Sequence, residues 1–334
     1  MGRLKIGVVL LAMTALVAAG CASSGGSGGG GNARLSLVAY STPREAYAAL
    51  IPAFKKTEAG KGVSFSQSYG ASGDQSRAVA SGLPADVVAL SLAPDMDKLA
   101  DAGLVAKDWN GDQYKGMVTD SVAVLVVRKG NPKNIRTWDD LVKPGVEVIT
   151  PNPFSSGGAR WNVMAAYGAQ IKQGKTPAQA TTYLEQLFRN VPVQDKSARE
   201  ALQTFVGGKG DAMIAYENEA IAAQQANQPV DYVVPGQTIL IENPIAVVTR
   251  SKNPTKAKAF VDFARSAEGQ GIFVQKGYRP VSQQAPGADR FPRPSGLFTI
   301  DDLGGWDQVT KRFFDKSGGV MADIERKVGV SVGS

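Results

Sequence analysis

Four small segments rich in hydroxyls and glycine stand where this chain could do chemistry. They are Tyr40-Ser41-Thr42-Pro43, Tyr69-Gly70-Ala71-Ser72-Gly73-Asp74, Ser155-Ser156-Gly157-Gly158 and Asp195-Lys196-Ser197-Ala198-Arg199. Each lies between an apolar β-type run and a helix-like stretch. A turn of that kind presents free backbone N–H groups, often with a hydroxyl, at a helix N-terminus. Unsatisfied donors and the helix dipole make that end attractive to anions. A single such turn reads as capping and nothing more. Four at successive strand ends read as an anion site.

The remaining reactive residues narrow the field. The chain has no histidine and one cysteine, Cys21. Triads that depend on histidine are therefore absent, and a protein zinc site lacks its usual ligands. Glu217 and Glu219 could do acid–base work, but they read better as first-turn residues of a helix. Asp95-Met96-Asp97 after Pro94 reads the same way rather than as a metal site. Gly25-Gly26-Ser27-Gly28-Gly29 matches the spacing of a hydrolase nucleophile but lacks the flanking strand and helix that an elbow needs. No P-loop is present. Arg128, Arg160 and Arg199 are the obvious cations. Helix-start geometry gives them a bracing role behind the loops. The reading is a binding module with no catalytic residues, no metal and no cofactor.

The elements that must position these turns alternate. Strands are expected at Leu35–Tyr40, Val63–Ser68, Asp86–Leu90, Val122–Val127, Val146–Thr150, Val191–Gln194 and Ala212–Tyr216, and a last one at Ile245–Thr249. Helices are expected from Thr42, with Thr42 as N-cap and Glu45 closing a capping box, and from about Asp74. Further helices are expected at Pro94–Ala102, Gly158–Gln173, Pro177–Arg189, Ala198–Val206 and Glu217–Ala226, and from Pro254. Repeated strand–helix units imply parallel sheets with helices on both faces. About 300 residues are too many for one ordinary core. Two α/β lobes follow, residues 34–119 plus 245–334 and residues 120–244, joined near Met117–Val122 and Gly236–Pro244. Ligands of open α/β sheets sit at the carboxyl ends of strands, so a cleft between lobes is the expected site.

The first residues speak for export. Arg3 and Lys5 precede an almost wholly apolar run, Ile6–Ala19, and then Gly20-Cys21. That order is a secretory signal peptide, residues 1–20. Val17-Ala18-Ala19-Gly20-Cys21 resembles a bacterial lipobox, with Ala18 where a branched residue is usual. Cys21 would carry the lipid, and residues 21–33 would form a Gly/Ser tether. The chain carries a net charge of +7. Loss of residues 1–20 removes Arg3 and Lys5 and no acid, which leaves +5. The positive residues are scattered rather than gathered into a stripe, so nucleic acid is not the expected partner.

The segment Pro151-Asn152-Pro153-Phe154-Ser155-Ser156-Gly157-Gly158-Ala159-Arg160-Trp161 resembles the signature of the bacterial sulfate- and thiosulfate-binding proteins. Tyr40-Ser41-Thr42-Pro43-Arg44-Glu45, Trp138-Asp139-Asp140-Leu141, Tyr216-Glu217-Asn218-Glu219-Ala220 and Tyr278-Arg279-Pro280 extend the likeness over nearly the whole chain beyond the tether. The resemblance implies a two-lobed periplasmic-binding-protein fold of type II-like form. Each lobe would be a mainly parallel sheet flanked by helices, with one oxyanion in the interlobe cleft. The implied ligand-binding groups are the N–H of Ser41, the hydroxyls of Ser72 and Ser156, the N–H groups of Gly157, Gly158 and Ala198, and a side-chain donor at Tyr216. Where the family carries tryptophan, this chain has Tyr216. Molybdate-binding relatives make similar use of a tyrosine hydroxyl, so molybdate or tungstate is the alternative ligand. An exported hydrolase using the same cradle is the more distant alternative. Implied partners are sulfate or a similar tetrahedral oxyanion and the membrane permease subunits of an ABC importer with a cytoplasmic ATPase. The implied protein is a monomer, held to the outer face of the cytoplasmic membrane by lipid on Cys21.

Overall fold

The computed structural model describes residues 33–282 and 284–332. The signal peptide, Cys21 and the tether through Asn32 lie outside the described residues. All but one of the expected apolar β-type runs fold as strands. The first half of the chain gives β1 (Ala33–Tyr40), α1 (Arg44–Lys56), β2 (Val63–Gly70), α2 (Ser72–Ala80), β3 (Val87–Ala89), α3 (Ala93–Asp101) and β4 (Met117–Arg128). Then come β5 (Val148–Ile149), α4 (Gly157–Lys172), α5 (Pro177–Arg189), α6 (Ala198–Val206), β6 (Ala212–Tyr216), α7 (Glu217–Gln225), β7 (Val230–Val233) and β8 (Gln237–Val247). The chain closes with α8 (Pro254–Arg265), α9 (Ala267–Gln275), β9 (Gly296–Phe298), α10 (Gly305–Phe313) and α11 (Val320–Lys327).

The strands run in the order β2-β1-β3-β8-β4-β6-β5, with β7 on β4 and β9 on β8. β1 is parallel to β2 and to β3, and β5 is parallel to β6. β4 and β8 break the parallel pattern. β8 is antiparallel to β3 through Ile245–Val247 and to β4 through Leu240–Pro244. β4 pairs β8 through its first residues and β6 through Ala123–Val127. Each of these long strands therefore serves both halves of the sheet, and they cross side by side. The expected separate strand at Ile245–Thr249 is the last part of β8.

Helices cover both faces of each half, as buried apolar strands require. Leu37, Leu50, Phe54, Phe260 and Phe273 share one core, and Val88, Leu90, Met96 and Leu99 fill the opposite face. In the other half Trp138, Trp161, Leu184 and Ile214 pack on one face, and Val124, Phe205 and Met213 on the other. The fold is the two-lobed α/β arrangement.

Three expectations meet a different structure. Val191–Gln194 forms no strand. It runs past β5 with only two flanking backbone bonds, Val148 N–H to Asn190 O at 2.8 Å and Asn152 N–H to Asp195 O at 2.8 Å. Thr42 does not cap α1: Pro43 holds the cap position without a side-chain bond, and Thr42 Oγ1 lies 3.3 Å from the Tyr278 hydroxyl. Of the C-terminal helices, α8 and α9 pack with the half built on β1–β3 as expected, whereas α10 and α11 turn to the other core, α10 also touching α3. α10 and α11 carry apolar stripes, Val309 and Phe313 on one and Met321 and Ile324 on the other. Those stripes bury against the Trp161–Tyr167–Leu184 core, with Tyr167 and Phe313 edge to face at 4.7 Å.

Candidate functional site

The four turns meet. Ser72 opens α2 and its hydroxyl is fully engaged: it donates to Asp95 Oδ2 at 2.8 Å and accepts from the Ser91 N–H at 2.9 Å. Gly73 N–H then donates to Ser155 O at 3.2 Å, which ties the second turn to the third. Ser156 is the N-cap of α4, and its Oγ accepts from Ala159 N–H at 3.2 Å. That cap serves the third helical residue only. The N–H groups of Gly157 and Gly158 are first-turn donors with no helical acceptor, and the Ser156 hydroxyl keeps its proton for another partner. Ser197 repeats the pattern at α6, where its Oγ accepts from Glu200 N–H at 3.2 Å and leaves the Ala198 N–H free of the helix.

Proximity requires a glycine at 157 and leaves ordinary contact distance at 158. A Cβ on Gly157 would fall 2.4 Å from Leu92 Cδ2 and 2.8 Å from Ser91 Oγ. A Cβ on Gly158 would meet Ala198 Cβ at 3.4 Å and Tyr216 Cε1 at 3.7 Å. Gly158, Ala198 and Tyr216 are thus neighbours, and Gly157 faces the end of β3. Tyr216 ends β6 and its hydroxyl lies 2.7 Å from Ser91 Oγ. Burial pushes the Tyr216 phenol well above its ordinary range, so it stays a neutral hydroxyl. Ser41 follows β1 directly. It shares a cavity of about 290 Å³ with Ser197 and Arg199, at the rim of the same meeting point.

Sequence reasoning missed two members. Ser91 touches both sides, and the rule that flagged the other turns would have found it, since it directly follows the expected strand Asp86–Leu90. Asn243 is fully buried on β8. Its Oδ1 accepts from the Tyr40 hydroxyl at 3.0 Å and from Thr119 Oγ1 at 3.3 Å, while its Nδ2 donates to Ser91 O at 2.8 Å. Trp161 Nε1 donates to the same carbonyl at 2.8 Å. Asn243 lies inside an apolar crossover strand, where no sequence signal separates it from a structural polar residue.

The arginines brace. Arg128 donates to the carbonyls of Phe205 and Gly210 at 2.7 and 3.0 Å, and Arg160 Nε donates to Pro153 O at 2.9 Å. Arg199 reaches from α6 to Glu45 on α1 and to Thr42 O at 3.2 Å. Glu217 forms a buried ion pair with Arg279, 2.7 Å from Nε to Oε2. Among the described residues no group of three or more His, Cys, Asp or Glu could hold a metal ion. The centre is a buried, neutral set of hydroxyls and helix-start N–H groups, suited to a group that only accepts hydrogen bonds.

Residues 35–279 match the family model of the bacterial extracellular solute-binding proteins. The chain belongs to this family. A sulfate-binding protein of Synechococcus elongatus is 42% identical over 85% of this chain and 84% of its own length. A thiosulfate-binding protein of Pseudomonas aeruginosa is 36% identical over 86% of this chain and 90% of its own. The solved structure of the sulfate-binding protein SubI from Mycobacterium tuberculosis superposes with a TM-score of 0.82 at 48% identity. It covers 85% of this chain and 100% of that one. As a family of extracellular solute-binding proteins, these chains work outside the cytoplasm, and this is an exported member.

Proposed function

We propose that this solute-binding protein captures sulfate, with thiosulfate as a related ligand, and passes it to the permease of an ABC importer. The observation that carries the reading is the meeting of Ser156, Gly157, Gly158, Ala198 and Tyr216 around helix-start N–H groups that no helical acceptor takes. Sulfate is fully ionised at neutral pH and only accepts hydrogen bonds. Burying a dianion is costly unless its lost water is replaced by donors. The N–H groups of Ser41, Gly157, Gly158 and Ala198 and the hydroxyls of Ser72, Ser156 and Tyr216 supply them. Ser72 donates its hydrogen bond to Asp95 Oδ2 in this structure, so its part would be to turn that proton toward the anion when one enters. A hydrogen phosphate would bring a proton that the backbone N–H groups cannot accept, so the site favours the fully ionised anion.

The lobes that close would be 34–119 with 245–290, and 120–244 with 296–327. Ligand would favour the closed state. The relatives' names, binding proteins for sulfate and thiosulfate, support ligand capture without turnover. Lipid on Cys21 would hold the chain at the outer face of the membrane. Competition calorimetry with sulfate, thiosulfate, molybdate and phosphate tests the reading: sulfate and thiosulfate should bind and phosphate should not. No heat with sulfate would overturn it.

A further inference from the structure

At the amino ends of β1 and β3, away from the anion cleft, lies a cavity of about 350 Å³. Arg34 reaches it from the start of β1, Leu83 and Pro84 from the turn between α2 and β3, and Arg250 and Lys252 from the loop between β8 and α8. Among the described residues, none of these three cationic groups has a hydrogen-bond or ion-pair partner. Asp86 is the one acid on the wall, and both its oxygens are taken. Oδ2 accepts from the Ser36 N–H at 2.7 Å and Oδ1 from the Ser251 hydroxyl at 2.5 Å. Asn253 ties the same loop to β1, its Nδ2 donating to Arg34 O at 3.2 Å. The loop is thus fixed to two strands, and its cations are left for something outside the fold. Leu83 on the rim is 37% exposed, one of two large apolar side chains exposed among the described residues.

We propose that this cavity takes the phosphodiester headgroup of an anionic phospholipid and so seats the fold on the membrane with the anion cleft facing away. Three cations against one engaged carboxylate suit a phosphate diester. Each cation near an anionic surface strengthens adsorption roughly five-fold. The exposed Leu83-Pro84 turn suits the boundary between headgroups and acyl chains. A soluble anion offers that turn nothing. β1 begins at Ala33, 12 residues after Cys21, and a chain of that length spans at most about 40 Å. Lipid on Cys21 would keep Arg34 within that reach of the bilayer, and the choice of a membrane rests on this reading of Cys21.

The strand itself separates the two ends. Arg34 and Ser41 are seven residues apart along β1, roughly 23 Å in extended chain. With Arg34 at the headgroups, the Ser41 end of the sheet stands clear of lipid and open to solute. Without such a contact an anchored protein turns freely on its tether and presents the cleft in every direction. The contact is between exposed charges, so salt screens it and the protein can leave it to reach a permease.

Asn32–Ser334 is a compact unit by itself, so the contact can be measured without an anchor. In flotation assays it should partition at least about 10-fold more strongly onto phosphatidylcholine vesicles carrying about one third phosphatidylglycerol than onto phosphatidylcholine alone. Arg34→Gln combined with Arg250→Gln and Lys252→Gln should lose that gain. Arg189→Gln combined with Lys209→Gln and Lys311→Gln removes the same charge from the other half and should keep most of it. All six positions are exposed, so both variants should melt with wild type. Equal partition onto the two kinds of vesicle would overturn the proposal, and so would equal losses in the two triple variants. Saturable binding of glycerol 1-phosphate that displaces the protein from vesicles would overturn it as well, by making the ligand a soluble phosphate ester. Mass spectrometry of Cys21 in the full chain is a separate result: an unmodified thiol removes the anchor reading, while flotation judges the headgroup site.

Discussion

Ser91 and Tyr216 meet hydroxyl to hydroxyl at 2.7 Å across 125 residues of sequence. One sits past the end of β3 and the other ends β6, so a single hydrogen bond joins the carboxyl ends of two strands from opposite halves. Each hydroxyl can donate and accept. One proton lies between them, which leaves the other for a further acceptor. Tyr216 therefore latches the halves through Ser91.

Tyr216→Phe should weaken sulfate binding about 10-fold, or roughly 1.4 kcal/mol, the worth of one hydrogen bond with its partner left unpaired. Calorimetry reads this directly. An unchanged Kd would place the hydroxyl outside the binding event.

Gly157→Ala and Gly158→Ala should part company. The added methyl at Gly157 meets Leu92 and Ser91 within 2.9 Å, and those residues belong to the opposing half. The open protein has room for it, and alanine suits a helix better than glycine. Thermal stability without ligand should thus hold or rise slightly, while sulfate affinity falls by about 100-fold or more and X-ray scattering no longer reports compaction on adding sulfate. At Gly158 the nearest contact is 3.4 Å, so its alanine variant should bind within a few-fold of wild type. Equal effects at both positions would contradict the closed geometry.

Glu217→Gln should destabilise the fold rather than the site. Glu217 and Arg279 are side chains only 5% and 10% exposed, and Arg279 also donates to Pro292 O at 3.0 Å. Removing one charge strands the other in the interior at a cost of about 3 kcal/mol. A urea melt should show that loss, and the double change Glu217→Leu with Arg279→Met should lose less than the sum of the two single changes.

Glu325 makes a pH prediction. It is buried on α11 with Gln194 Nε2 donating to Oε2 at 2.7 Å and Oε1 unpaired. Burial raises its carboxyl from 4.5 to about 7, against the pull of Gln194. The native state therefore holds a proton that the unfolded chain gives up, and stability declines as pH climbs from 4.5 to about 7. Glu325→Gln should leave the melting temperature unchanged at pH 4.5 and raise it at pH 8 by about 3 °C, for roughly 2 kcal/mol recovered. Melting curves at the two pH values check the sign.

The outline of the fold was legible because buried strands and capped helices write themselves locally. β6, α5 and α6 begin and end where the pattern put them. What failed depended on distant partners. Val191–Gln194 has strand-like residues but lacks a neighbour in register. Thr42 has a good capping sequence, yet Tyr278, 236 positions away, takes its hydroxyl. The C-terminal helices show apolar stripes but not which core will receive them. The turns of the site were readable one by one. Their convergence, and the parts played by Ser91 and Asn243, come from the crossing of β4 and β8, which no local pattern encodes.

That crossing has a mechanical consequence. The halves are joined by β4, by β8 and again by the chain between α9 and β9, which passes over to pair with β8 at Gln237–Ile239. A body tied to another along two adjacent strands can bend about the line between them. The third tie resists rotation about any other axis. The motion left is that of a jaw with one degree of freedom, so every ligand is met at the same angle. Under the proposed function, an ion too large for the bite would hold the Ser91–Tyr216 contact apart, and size would be sensed at a point that need not touch the extra atoms.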